Sequence, residues 1–350
     1  MILSEPNILY FLGEKLDYTA LILDVDNRAL NVVTHVLEYE RAKRIKHINN
    51  IYLYSFYDIP IELKYIKGSI IDAILQILKR EYEKGYIGVE GNYIPYNYVT
   101  KLQKEFPGKI IAIDDIIWKL RLVKYSDELE LIRKSSRMLS KVMELAIEQI
   151  RPGVKESEIA SIVLHELIRN DAYTDIHPPI IASGPRSALP HGRATDKVIK
   201  EGEVVTLDLT SKYKGYYSDM TRTIAVKSID TKLRKVYEAV KEAQEYALEI
   251  CREGIKAFEV DLAARNVLKK YGLHNYFIHS TGHSLGLEIH EPLRIAQGVN
   301  ITLKENMVIT IEPGAYIPNL GGVRIEDTII VRKNKPPEVL TSYTKELLIK

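Results

Sequence analysis

Two aspartates lie on neighbouring strand-like segments. Asp208 sits in Glu203-Val-Val-Thr-Leu-Asp-Leu-Thr210 and Asp219 in Tyr217-Ser-Asp-Met-Thr-Arg-Thr-Ile-Ala-Val226. A turn over Lys212–Gly215 folds the two segments into a hairpin. Symmetry about residues 213 and 214 sets Asp208 directly opposite Asp219, with Cβ atoms about 4.5–5.5 Å apart on one face. Like charges so placed repel, and aspartate is a poor strand former. A cation is the simplest way to offset both costs; two solvated acids on an outer face are the plain alternative.

Further acids weaken that alternative. Met307-Val-Ile-Thr-Ile-Glu312 is an apolar run ending in an acid before Pro313-Gly314, and Gly322-Val-Arg-Ile-Glu-Asp-Thr-Ile-Ile-Val331 reads as one strand carrying Glu326 between apolar neighbours. Between the two strand pairs lies His279-Ser-Thr-Gly-His-Ser-Leu-Gly-Leu-Glu-Ile-His290, where Gly282 and Gly286 allow the backbone to approach closely around His283. Four strand-borne acids and one glycine-flanked histidine make the solvated-acid reading much weaker. The same stretch spells Gly282-His-Ser-Leu-Gly286, the Gly-x-Ser-x-Gly of a nucleophile elbow. That elbow needs a helix leaving it, and Pro292 stops any helix within a few residues, so Ser284 reads as a small loop residue. No Gly-x-x-x-x-Gly-Lys-Ser/Thr phosphate loop is present.

The elements that must position these residues fall into two groups. In the first third, Ala20–Val25 and Leu30–Val36 read as strands around the turn-prone Asp26-Asn27, Ile70–Glu83 as a helix ending near Gly85, and Gly88–Val89 and Ile110–Ile113 as short strands flanking a helical stretch at Val99–Phe106. This is an α/β region. Ser126 is a suitable N-cap, with Asp127 and Glu128 in the first turn, for a helix that must stop by Arg151-Pro152-Gly153. Helices then follow near 156–169, 231–252 and 258–271, and strands near 203–210, 217–226, 306–312 and 323–331, an α+β region with no short-period repeat. The boundary falls near Lys124-Tyr125, giving domains 1–124 and 125–350.

Composition narrows the function classes. In 350 residues, 49 basic and 47 acidic side chains leave a net charge of +2, which points to neither nucleic acid nor an anionic membrane as the main partner. The single cysteine, Cys251, rules out an intramolecular disulfide and a thiolate cluster, and its helical context suits a small buried hydrophobe. The N-terminus lacks the basic and apolar regions of a secretory signal, and no window is apolar enough to span a bilayer, so a cytoplasmic location is expected. Few glutamines and abundant Lys, Glu, Ile and Tyr lean towards a thermophilic source. The basic run Arg41–Lys46 reads as solvated surface.

Asp208 and Asp219 at that separation, His283 in Gly-His-Ser-Leu-Gly-Leu-Glu-Ile-His-Glu, Glu312 in Ile-Glu-Pro-Gly and Glu326 in Gly-Gly-Val-Arg-Ile-Glu-Asp resemble the dimetal ligands of the pita-bread metallopeptidases, the family of methionine aminopeptidase, aminopeptidase P and prolidase. The resemblance is strong over 125–350. The first 124 residues resemble the N-terminal domain of prolidases and aminopeptidases P, mainly through Pro6-Asn7-Ile-Leu-Tyr-Phe-Leu-Gly13; the chain starts at that segment, without the helix relatives usually place before it, so a short N-domain is expected. The resemblance implies an α/β N-domain followed by an α+β pita-bread catalytic domain. It implies two divalent ions, with Asp219 and Glu326 bridging them, Asp208 completing one, and His283 with Glu312 completing the other. Four carboxylates and an imidazole are a hard set, favouring Mn, Co or Fe, with Zn possible.

The chemistry implied is attack on a peptide bond by a metal-bridging hydroxide. Glu312 would shuttle the proton, His290 would stabilise the developing oxyanion, and His191, in Ser187-Ala-Leu-Pro-His-Gly192, would close over the substrate. Arg294 resembles the prolidase arginine that forks onto the substrate's C-terminal carboxylate. Arg324 is expected to hold the metal carboxylates from behind, and His279 to support or pack against the site. The expected activity is an Xaa-Pro dipeptidase acting on small peptides as a homodimer. An aminopeptidase P acting on longer Xaa-Pro peptides is the alternative. A non-catalytic binding module has no need of four converging carboxylates.

Overall fold

The computed structural model describes residues 1–60, 62–82 and 85–350, and the chain divides between Leu120 and Arg121 into two units. In the first, Thr19–Asp24 and Ala29–His35 form an antiparallel hairpin whose turn is tied by the Asn27 N–H donating to Asp24 Oδ1 at 3.0 Å. Asn50–Ser55 adds in parallel, and Ile66–Lys67 extends that sheet. Tyr86–Val89 and Lys109–Ala112 make a separate parallel pair. Helix Ile70–Glu81 starts at a reciprocal cap, in which Asp72 accepts the Ser69 N–H at 2.9 Å while Ser69 Oγ accepts the Asp72 N–H at 3.3 Å. Its apolar stripe, Ile70, Ile71, Ile74, Ile77 and Leu78, is buried against the sheet, as the 3.6-residue period requires. The expected end at Glu83 lies outside the described residues.

The second unit is α+β. Its first helix spans Ser126–Glu148, with Tyr125 rather than Ser126 at the cap: the Glu128 carboxylate reaches back to the Tyr125 N–H at 2.9 Å, which places the cap one residue earlier than expected. It also ends at Glu148, short of Arg151, with Gln149 as its cap; Pro152 just beyond bars Arg151 from helical backbone. This helix lies on a long hairpin, Val204–Tyr213 and Tyr216–Ala225, while Glu156–Arg169 packs beside it on the flanking strands Ala172–Tyr173 and Ile180–Ser183; the first helix docks through Ser135–Ser211 and Ser136–Ser218 hydroxyl pairs at 2.7 and 2.8 Å. Leu139, Met143, Ile159, Leu207, Leu209 and Met220 form the core between them. A second helix pair, Thr231–Ile250 and Ala257–Lys270, accompanies a sheet ordered Glu291–Ile295, Gly282–Ser284, Val308–Ile311, Asp327–Ile330 and Glu338–Val339.

Two expectations about these strands are corrected. The hairpin turn is the two-residue Lys214-Gly215, both at positive φ (46° and 90°), so Tyr213 pairs with Tyr216. Such turns match the strand twist. Asp208 therefore faces Thr221 and Asp219 faces Thr210. The two acids remain on one face, but as diagonal neighbours rather than directly opposite. The run Gly322–Val331 is not one strand. Gly321–Arg324 pairs with Gly314–Ile317 in a separate ribbon, Asp327–Ile330 pairs with Val308–Ile311, and the chain changes sheets at Ile325-Glu326.

Candidate metal centre

Those irregularities deliver the acids to one place. Asp208 and Asp219 come from the hairpin face, His283 from the three-residue strand Gly282–Ser284, Glu312 from the residue after Val308–Ile311, and Glu326 from the change of sheets. Ligand atoms of Asp219, His283 and Glu326 all lie within 4.8 Å of one another. His283 Nε2 is 3.7 Å from Asp219 Oδ2 and 3.3 Å from Glu312 Oε1. A Cβ on Gly282 would stand 1.9 Å from the Thr310 carbonyl oxygen, so only glycine lets the histidine strand lie against the Glu312 strand.

Neighbouring residues hold the candidate ligands in place. His283 Nδ1 lies 3.2 Å from the Ser284 carbonyl, which can only accept, so Nδ1 carries the proton and Nε2 presents its lone pair to the carboxylates. Thr221 donates to Glu326 Oε2 at 2.6 Å, and Thr310 donates to Glu312 Oε1 at 3.2 Å while accepting the His283 N–H at 3.0 Å. Thr328 brackets the Asp219 main chain, accepting its N–H at 3.0 Å and donating to its carbonyl at 2.8 Å.

The charges are held against their preference. Burial first, then the neighbouring Asp208 and Glu312, drives the Asp219 carboxyl well above the usual carboxylate range. Burial and the Asp219 charge do the same to Glu326, and burial raises Glu312 to about 7 against the pull of Arg324. Burial also holds the His283 imidazole far below its ordinary value. Among the described residues, Asp219 Oδ1 and Glu326 Oε1 are buried with no hydrogen-bond partner. Two unpaired carboxylate oxygens in the interior, on residues whose ligand atoms lie within 4.8 Å of one another, are costly unless a cation accompanies them. The donor set therefore fits divalent metal.

The remaining candidates surround this cluster. The His290 ring stands edge-on to His283 with centroids 4.4 Å apart; burial first, then Arg294, lowers its pKa. His191 is exposed on the loop after Gly184–Ala188, close enough for its charge to act on His290. Arg294 is exposed, paired in register with His283, and has no hydrogen-bond or ion-pair partner among the described residues. Arg324 Nη2 donates to Asp208 Oδ2 at 2.6 Å and to the Pro190 carbonyl at 3.1 Å, tying a cluster acid to the His191 loop. His279 Nδ1 donates to the Ser280 carbonyl at 2.8 Å, so Nε2 accepts from the Tyr316 hydroxyl at 2.9 Å; burial keeps its pKa near 4. Tyr316 in turn accepts from Arg324. Ser284 is a buried strand residue, not a loop residue, and its Oγ accepts the Leu293 N–H at 3.2 Å. Sequence reasoning did not single out Tyr316, Thr221, Thr310 or Thr328. The threonines were visible only as inward-facing strand positions once the register was known.

Residues 130–333 match metallopeptidase family M24, and residues 1–123 match the Creatinase/Prolidase N-terminal domain. The Xaa-Pro dipeptidase of Pyrococcus furiosus is 42% identical over 349 residues, spanning 99% of this chain and 94% of that protein. The chain belongs to metallopeptidase family M24. Solved structures agree with that assignment of the M24 peptidase. An Xaa-Pro dipeptidase from Bacillus anthracis superposes with a TM-score of 0.90 at 32% identity, covering 100% of this chain and 94% of that one. An X-Pro aminopeptidase from Thermotoga maritima does so at 0.87 and 28%, covering 99% and 94%. The M24 peptidase is thus a metal-dependent hydrolase with an α/β N-terminal region and a pita-bread catalytic region. Among its described residues no helix is long and apolar enough to cross a membrane.

Proposed function

We propose that this M24 peptidase hydrolyses the bond preceding proline in Xaa-Pro dipeptides. The observation that carries the reading is the convergence of Asp219, His283 and Glu326 with unpaired carboxylate oxygens in the interior. The near full-length likeness to an Xaa-Pro dipeptidase supports the substrate class. Two divalent cations, Mn, Co or Fe ahead of Zn, supply an acidified water and a polarised substrate carbonyl.

The chain's own residues do the rest. Asp208, Asp219, His283, Glu312 and Glu326 would hold the two ions, with Asp219 and Glu326 serving both of them. Glu312 accepts the nucleophile's proton and returns it to the leaving nitrogen. His290, its ring held neutral by burial and by Arg294, donates to the oxyanion. His191 closes over the substrate from its loop. Arg294, with no partner of its own among the described residues, forks onto the dipeptide's carboxylate. The working form is a cytoplasmic homodimer of two-domain chains, 1–124 and 125–350.

Metal is removed with chelator, and Mn, Co, Fe and Zn are then titrated while Leu-Pro and Met-Pro hydrolysis is followed. Recovery with the hard ions is expected; full activity in chelator contradicts the reading. The likeness to an X-Pro aminopeptidase structure favours a second reading, action on longer peptides. Leu-Pro against Leu-Pro-Pro separates the two. Arg294→Ala should weaken Leu-Pro hydrolysis by about 1.5–3 kcal/mol and leave Leu-Pro-amide little changed. Equal losses on both would remove Arg294 from substrate recognition.

A further inference from the structure

Glu326 lies where the chain passes from one sheet to another, so neither flanking strand holds it by regular pairing. Two consecutive residues of the long hairpin hold it instead. Thr221 accepts the Glu326 N–H at 3.1 Å and donates to its carboxylate at 2.6 Å. Arg222, next in sequence and 2% exposed, donates through Nη1 to the Glu326 carbonyl at 2.6 Å.

A guanidinium has five N–H groups, and all of those on Arg222 are used. Nη1 also reaches the Thr221 carbonyl at 2.9 Å, Nε the Thr344 carbonyl at 3.0 Å, and Nη2 both the Tyr343 carbonyl and Asp327 Oδ1 at 2.8 Å. Asp327 is wholly buried and is braced in turn by the Thr341 hydroxyl at 2.8 Å, Gln244 at 2.9 Å and Lys345 at 3.2 Å. A buried ion pair is a poor device for stability alone, since an apolar pair of similar volume often does as well. Every Arg222 contact but one ends on a main-chain carbonyl, and those carbonyls belong to the hairpin, to Glu326 and to the Thr341–Lys345 segment. That arrangement fixes backbone position.

We infer that Arg222 is a positioning residue for the metal centre: with Asp327 and the Thr341–Lys345 segment as its abutment, it sets the Glu326 carboxylate for metal. The inference rests on the reading of Glu326 as a ligand. Partners behind the ligands of a metal commonly tune affinity by 10–100-fold.

The test uses the full-length, metal-stripped chain and Mn²⁺ binding by chelator competition, with circular dichroism as the check on folding. Arg222→Lys keeps a charge opposite Asp327 but cannot reproduce the planar fork. It should weaken Mn²⁺ binding by about 10–100-fold. Arg133→Lys makes the same exchange in the Arg133–Glu338 pair (2.7 Å), which touches no ligand, and should leave Mn²⁺ affinity unchanged. Should Arg222→Lys fail to fold, Thr341→Val removes one Asp327 donor and should weaken binding several-fold. Wild-type affinity in the folded variants, or an equal loss in Arg133→Lys, overturns the inference. Glu326→Gln separates this failure from that of the ligand reading: wild-type Mn²⁺ binding there removes Glu326 from the centre, whereas loss there with wild-type binding in Arg222→Lys leaves the ligand reading standing and ends only this inference.

Discussion

The catalytic unit contains two halves built on one plan. Each has a helix pair whose second member starts from the same turn: Gly153-Val154-Lys155 before Glu156–Arg169, and Gly254-Ile255-Lys256 before Ala257–Lys270. The glycines share a left-handed φ, 92° and 90°. In both, a glutamate returns to the lysine N–H, Glu158 to Lys155 at 3.3 Å and Glu259 to Lys256 at 2.8 Å. Both glycine N–H groups donate at 3.0 Å to a main-chain carbonyl later in the sequence, that of Ile199 and that of Leu303 respectively. The halves diverge in their strands. The first offers two acids from an unbroken hairpin, whereas the second offers His283, Glu312 and Glu326 from short strands and their ends. A regular scaffold can thus place ligands of one kind on one face, but surrounding a metal from the other side requires broken strands and extra braces.

Each half also keeps one wholly buried acid on its second helix, and the two do different work. Glu156 accepts from Ser183 N–H and Oγ at 2.8 Å, from Thr195 N–H and Oγ1 at 3.1 and 2.9 Å, and from Arg186, pinning both ends of the His191 loop. Asp261 accepts from Thr281 N–H and Oγ1 at 3.1 and 2.8 Å, and the Thr281 carbonyl accepts the Glu312 N–H at 2.7 Å. The first braces a loop over the centre. The second, through Thr281, braces the main chain of the candidate ligand Glu312.

Breaking the ligand set should have the largest effect. Asp219→Asn should lose metal, as read by elemental analysis, and reduce Leu-Pro hydrolysis to background; retained metal and activity would exclude Asp219 from the centre. Next, His290→Ala should lower kcat by about 10²–10³-fold with metal content unchanged, the scale of losing one oxyanion donor. An unaltered kcat would return His290 to packing. The buried acids should then separate the halves. Asp261→Asn should weaken Mn²⁺ binding by about 10-fold, whereas Glu156→Gln should raise KM for Leu-Pro at unchanged Mn²⁺ affinity. Each should cost about 1–3 kcal/mol in thermal unfolding. Identical effects of the two substitutions on Mn²⁺ affinity would erase the distinction.

The smallest effect concerns pH. Asp219, Glu326 and Glu312 ionise less readily folded than unfolded, where carboxylates titrate near about 4. The Glu312 contribution to the stability of metal-free protein is intact in acid and is lost as pH rises from about 4 through about 7, and the raised Asp219 and Glu326 carboxyls act in the same direction. The Tm of metal-free protein should therefore fall relative to metal-loaded protein across that window; parallel Tm curves would show that the carboxylates are not clustered.

Legibility in the sequence followed regularity. The helix at Ile70 and the acid-bearing strands were readable because apolar period and capping residues agree, as with Ser69 and Asp72. The diagonal placement of Asp208 and Asp219 was not, because it depends on one residue of turn position, and Lys214 gives no sign that it will adopt positive φ. The break at Ile325-Glu326 was hidden because its apolar neighbours suit a continuous strand equally well. Arg222 and Tyr316 carry no local motif: their partners lie at Asp327, Tyr343 and His279, far along the chain. The paired turns at Gly153 and Gly254 repeat at too long a spacing to register as a short-period repeat.

On the function proposed above, two unlike halves close on one metal centre. Anomalous diffraction from crystals soaked in Mn²⁺, recorded on both sides of the Mn absorption edge, tests it most directly. Two adjacent peaks are expected, enclosed by Asp208 and Asp219 from one half and by His283, Glu312 and Glu326 from the other. A lone peak held by the hairpin acids without His283 and Glu326, or no peak among these residues, would contradict it.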